Sequence, residues 1–107
     1  MSTNLEAEFD AAMMQIYVRA KKEAGYSATR YLQTLHDNRG LDTARILVKA
    51  EQPSEGYSAL WERGRLDLTV EALVLQPKWQ PLFTEELELL ECARQRLVKY
   101  SYNEKIS

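Results

Sequence analysis

A single cysteine and a single histidine close off most covalent and metal chemistry in this 107-residue chain. Cys92 alone cannot build an internal disulfide framework. A lone thiol therefore points to a reducing compartment, and the cytoplasm is the expected location. Structural zinc takes about four Cys or His ligands; here Cys92 and His36 are the whole supply. Neither a GxGxxG nor a GxxxxGK[ST] motif occurs, so the glycine-rich phosphate cradles are missing. No stretch approaches the ~18 apolar residues of a membrane span. The opening MSTNLEAEFD is acidic and lacks an apolar h-region, so no signal peptide is expected. Charge of one sign is not in excess either. Fourteen basic and sixteen acidic residues leave a net charge of −2, which provides no global field for nucleic acid. Only four glycines and three prolines interrupt the chain, which leaves room for long regular elements.

What is present is apolar residues at helical spacing. Leu5, Phe9, Ala12, Met13, Ile16, Tyr17 and Ala20 recur every three or four positions, predicting a first helix from Asn4 to Ala24, stopped by Gly25. Ser27 is a good cap for a second helix carrying Tyr31, Leu32 and Leu35, which ends in the polar cluster His36 to Gly40. Asp42 is expected to cap a third helix, Thr43 to Ala50, with Pro53 beyond its end. Ser54 or Ser58 opens a short fourth, stopped by Gly64. Asp67 is read as the cap of a fifth, Leu68 to Leu75, although Val70 and Val74 would also suit a strand. Pro77 and Pro81 bracket a linker presenting Trp79. Thr84 begins the last helix, running to about Tyr102 with Leu87, Leu90, Ala93 (or Arg94), Leu97 and Tyr100 inward; residues 103–107 are expected to fray. The reading is all-α: one domain over 1–107 of about six helices, long at both ends and short in the middle. The expected core is Phe9, Met13, Ile16, Tyr31, Leu35, Leu47, Leu60, Trp61, Leu66, Val70, Leu73, Leu90 and Leu97.

Candidate chemistry is thin. A Cys–His nucleophile pair needs contact, and no local signature joins Cys92 to His36. Glu85, Glu86, Glu88 and Glu91 cluster, but without the Glu-x-x-His pairs of a di-metal bundle they read as charge at a helix start. No catalytic residue, metal or cofactor is expected. Two binding readings remain. Aromatics and Arg dominate protein interfaces, and Tyr57, Arg65 and Trp79 are the candidate partner-binding residues. Trp79, in its Pro-bracketed turn, is the aromatic most expected to remain partly exposed, with capping of the core as the equal alternative. The run Glu62 to Asp67 is read chiefly as an ion-pair corner, with Arg65 otherwise free for a partner carboxylate or phosphate. The second reading takes 27–50 as a helix-turn-helix, with Arg30, Arg39, Thr43, Arg45 and Lys49 facing DNA. It requires these cations to converge and Asp37, Asp42 and Glu51 to leave them unpaired.

Three stretches carry a resemblance: Tyr26–Val48, YSATRYLQTLHDNRGLDTARILV; Ser54–Glu88, built around LWERGRLDLTVEALVLQPKWQPLFT; and Ala93–Leu97, ARQRL. Together they resemble a family of small bacterial all-helical proteins associated with bacterial chromosomes and mobile or defence loci. The resemblance covers most of the chain. It implies a bacterial origin and a compact helical fold, and carries over no activity and no catalytic residue. The expected function is a non-enzymatic interaction module that engages another protein or a second copy of itself, with DNA binding as the alternative and no membrane role.

Overall fold

The computed structural model describes residues 5–100, and no strand occurs among them. The α-helices are α1 Leu5–Ala24, α2 Thr29–Lys49, α3 Glu55–Glu62, α4 Val70–Val74 and α5 Leu87–Lys99; 3₁₀ helices span Leu66–Leu68 and Pro77–Phe83. A break at Arg39 divides α2 into two arms, 29–38 and 40–49, so six α-helical rods build the globule. The all-helical reading therefore holds, with the first two helices and the last one long and the central ones short. The expected start of the first helix at Asn4, the end of the last helix near Tyr102 and the fraying of 103–107 lie outside the described residues.

Several boundaries are set by partners that local reading could not see. Ser27 does not cap α2; Ala28 occupies that position and offers no side-chain bond. Asp42 does not start the second arm either. That role passes to Asp10 on α1, whose carboxylate accepts the Gly40 N–H at 2.7 Å and the Arg39 guanidinium at 2.9 Å. A carboxylate at a helix start satisfies an orphan N–H and complements the dipole. The approach is so close that a Cβ on Gly40 would stand 2.5 Å from Asp10 Oδ1 and 3.1 Å from the Phe9 ring. Ser54, not Ser58, caps α3 through the Tyr57 N–H at 3.0 Å. In the ambiguous segment 68–75, Thr69 replaces Asp67 as the cap of α4, its hydroxyl accepting the Ala72 N–H. The last helix begins at Leu87, not Thr84.

Arg39 is the one non-glycine residue with positive φ among the described residues, at φ 66° and ψ 179°. That region is essentially reserved for glycine, and a side chain there costs about 1–3 kcal/mol. The ion pair to Asp10 joins a guanidinium that is 78% exposed, so solvent screens it and it offsets little of that cost. Arg39→Gly is therefore expected to raise the thermal midpoint by a few degrees, after the roughly 0.5–1 kcal/mol entropy cost of glycine. A lowered midpoint in a melting experiment would show that the break is not strained.

The main core joins Phe9 and Met13 of α1, Leu35, Ala44 and Val48 of α2, α4, Trp79, Phe83, and Leu89 and Ala93 of α5. Of the expected core, Phe9, Met13, Leu35, Leu60, Leu66, Val70, Leu73 and Leu97 are buried; Ile16, Tyr31, Leu47 and Leu90 are half-buried. The two tryptophans are exchanged relative to expectation. Trp79 is 3% exposed and Trp61 is 44% exposed. The segment Pro77–Phe83 is not an open linker but a 3₁₀ helix, which turns Trp79 and Phe83 inward together. Phe9 meets both edge-to-face, with ring centroids 5.2 and 5.7 Å away. On α3, Leu60 faces inward, and its neighbour Trp61 is rotated about 100° from it. On α5 the expected Ala93 and Leu97 are buried and Leu90 and the capping Tyr100 half-buried, but the stripe is shifted at its start: Leu89 is buried, while Leu87 and the alternative Arg94 are exposed.

Candidate functional site

The shifted stripe of α5 turns Arg96 into the protein. Its guanidinium donates to Glu71 Oε2 at 2.8 Å, to the Leu47 carbonyl at 3.1 Å and to the Ala50 carbonyl at 2.5 Å. One side chain thus neutralises a buried acid of α4 and closes the C-terminal end of α2, whose last carbonyls lack helical partners. The pair is secluded, with the side chains of Arg96 and Glu71 only 10% and 3% exposed. Burial pushes the Glu71 carboxyl above its ordinary value, and the Arg96 hydrogen bond opposes that push. Local reading missed both residues. The available signal was a lone acid inside the apolar run LTVEALVL and a base, Arg96, three residues after Ala93 and next to Leu97.

Tyr57 belongs to this centre. Its hydroxyl donates to the Arg96 carbonyl at 3.1 Å, and the Arg96 guanidinium lies 6.0 Å from its ring centroid. From it a ladder of edge-to-face rings rises to the surface. Tyr57 is buried; Tyr100, 5.3 Å away, is half-buried; Trp61, a further 5.5 Å away, is exposed. The aromatic candidates for partner contact are corrected accordingly. Tyr57 and Trp79 lie inside the protein, and Trp61 is the tryptophan at the surface.

Arg65 occupies an ion-pair corner. It donates to Asp67 at 3.0 Å and to Glu23 of α1 at 2.8 Å. Glu23 also accepts Arg19 at 2.8 Å, and these hydrogen bonds, that of Arg19 first, pull its carboxyl down to about 2. The Asp67 carboxyl is lowered, chiefly by Arg65. Arg63 donates to the Ala24 and Ala59 carbonyls and stacks over Tyr26. This corner ties the end of α1 to the segment after α3.

The residues of the helix-turn-helix reading do not share a basic face. Thr43 is fully buried, and its hydroxyl donates to the Thr34 carbonyl. Arg39 is held by Asp10. Arg45 reaches Glu86 at 2.8 Å and Asp42 at 2.6 Å, and its hydrogen bond lowers the Glu86 carboxyl. Lys49 and Arg30 are exposed at opposite arms of α2. What was expected as a turn between two helices is one broken helix, with acids drawn onto two of its cations.

His36 lies exposed on the first arm of α2, and Cys92 is half-buried against the main core. Among the described residues, no group of three His, Cys, Asp or Glu side chains is arranged to hold a metal ion. No helix among them is long and apolar enough to cross a membrane. A cavity of about 100 Å³ opens between α1, α2 and α3, with Glu71 and Tyr57 on its boundary. No family model, curated protein or solved structure matches the chain.

Proposed function

We propose that this chain is a non-enzymatic protein-interaction module that inserts Trp61 into an apolar pocket of a partner protein. The observation that carries the reading is the aromatic ladder. Trp61 is exposed, yet Tyr100 and Tyr57 brace it from below, so little freedom is lost on binding. Rigid tryptophans are favoured interface anchors. The other large exposed apolar side chains among the described residues, Met14, Val18, Ile46, Leu87 and Val98, lie on three other helices and at opposite ends of α5. They do not supply the roughly 800 Å² per partner of a stable interface such as a permanent dimer's. One anchor with a polar surround suits a transient contact with a different protein. The resemblance to small bacterial helical proteins and the lone thiol support a bacterial cytoplasmic setting.

The test is capture from host lysate followed by reconstitution of the purified pair. Trp61→Ala should keep the fold, because the side chain is half exposed. It should weaken the reconstituted complex by at least about thirtyfold, as expected for a hot spot of ~2 kcal/mol or more. An affinity unchanged by the substitution would remove Trp61 from the interface. Sedimentation of the chain alone should show a monomer; a Trp61-dependent dimer would instead make a second copy the partner.

A further inference from the structure

The cavity beside Glu71 has features the interaction reading does not use. Its walls are Ile16 and Ala20 of α1, Leu47 of α2, Leu60 of α3, and Leu68 and Val70 around the start of α4. Space exists there because Ala20, and Ala28 nearby, place small side chains where neighbouring elements present large ones. The space is open to solvent past Arg30 and Glu55, and its inner apolar walls lack contacts that a fitting group would supply.

The polar groups on its inner boundary, Tyr31, Thr69, Tyr57 and Glu71, are already engaged. The Tyr31 hydroxyl donates to the Met13 carbonyl at 2.7 Å, and burial pushes its pKa well above the ordinary phenol value. The Thr69 hydroxyl donates to the Leu66 carbonyl at 2.7 Å. Tyr57 and Glu71 are both engaged with Arg96. A charged ligand would leave water and find no free counter-charge inside. At the boundary Arg30 and Glu55 contribute one charge of each sign, which favours neither an anion nor a cation. Tyr26, half-buried, stands beside Gly56, with its ring 3.7 Å from where a Cβ would be. The missing side chain at Gly56 leaves room next to the ring, at the polar edge of the cavity.

We propose that this cavity is a binding site for a small uncharged hydrophobic molecule, no larger than a single ring. Dry apolar cavities of about 150 Å³ take up benzene or xenon, and about 100 Å³ sets a tighter limit on size. The ligand's apolar body replaces the missing contacts among Ile16, Leu60 and Val70. Selectivity comes from volume and from the apolar inner walls; Arg30 and Glu55 are exposed at the mouth, so a charged analogue of equal size must leave water to enter between Ile16, Leu60 and Val70 and is rejected.

The probes are benzene and xenon, with benzoate and tetramethylammonium as charged comparators, added to the full chain. Methyl resonances of Ile16, Leu60 and Val70 should shift in a saturable way with benzene and with xenon, and benzene should raise the thermal midpoint by mass action. Benzoate and tetramethylammonium should leave the same methyls unmoved. Ala20→Leu fills the space and should abolish the benzene response in a folded protein; if that variant does not fold, Ala28→Leu serves the same purpose from another wall. Unmoved methyls with both neutral probes would overturn the site. A saturable response to either charged comparator, or a benzene response that survives filling, would overturn the assignment of ligand class or of place.

Discussion

Replacing Arg96 by Met is expected to destabilise the protein by about 3–5 kcal/mol, the range for breaking a buried ion pair by removing one partner. Domains of this size are stable by only about 5–15 kcal/mol, so the variant should sit close to unfolding in a denaturant titration. The loss has two parts. Glu71 is left as an uncompensated buried charge, and the Leu47 and Ala50 carbonyls at the end of α2 lose their donor. The first part has a pH signature. Burial already holds the Glu71 carboxyl above the ordinary 4.5, and removing Arg96 removes the effect that opposes this. The folded variant then retains a proton that the unfolded chain releases. Its stability must fall as pH rises through that window and recover on acidification. Moving from neutral to about pH 5 should therefore restore part of the loss in Arg96→Met and have a smaller effect, of the same sign, on the wild type, where Arg96 opposes the shift. That range stays above the one in which the lowered carboxyls of Glu23, Asp67 and Glu86 take up protons and add their own acid sensitivity. Adding Glu71→Leu to Arg96→Met should restore stability more fully, since apolar replacement of both partners removes the orphan charge. A double variant as weak as the single one would show that capping of α2, not charge pairing, is what Arg96 supplies.

Trp79→Ala is expected to cost about 3–5 kcal/mol, the range for deleting a buried aromatic side chain. The indole fills the centre of the main core and meets Phe9 edge-to-face. Trp79→Phe should cost under about 2 kcal/mol. The buried Nε1–H has no hydrogen-bond partner among the described residues, so removing it sacrifices no bond. Trp61→Ala should cost less than about 1.5 kcal/mol, the upper range of an aromatic pair. Fluorescence separates the two rings without unfolding the protein. In Trp61→Phe, the remaining Trp79 emission should be blue-shifted and shielded from a soluble quencher; in Trp79→Phe, the Trp61 emission should be quenched readily. The reverse pattern would exchange the two assignments.

That exchange marks where local reading stops. Trp79 lies between two prolines and two polar neighbours, which locally describes an exposed turn. Trp61 lies at helical spacing from Tyr57, which locally describes a core position. Both inferences use neighbours in sequence, and burial is decided by neighbours in space. Phe9, seventy residues before Trp79, is what encloses it. The last helix misled in a similar way. The expected stripe begins at Leu87, whereas the buried one begins at Leu89. The register from Leu89 brings Arg96 inward, which is tolerable only because Glu71 and the end of α2 wait there. The DNA reading of 27–50 lost its shared basic face for the same reason, since Asp10 and Glu86 come from distant segments to meet Arg39 and Arg45.

Fold class, the number of helices and the inward faces of α1 and the first arm of α2 were determined by the sequence alone. Those properties rest on spacing within one element, where three or four residues make a turn and apolar side chains repeat on one side. Only the tertiary structure decided the break at Arg39, the caps supplied by Asp10 and Arg96, the buried ion pair, the cavity, and which tryptophan reaches solvent. Each depends on groups brought together across many residues, because a buried charge, an orphan helix end or an unfilled void exists only once the partner segment has packed.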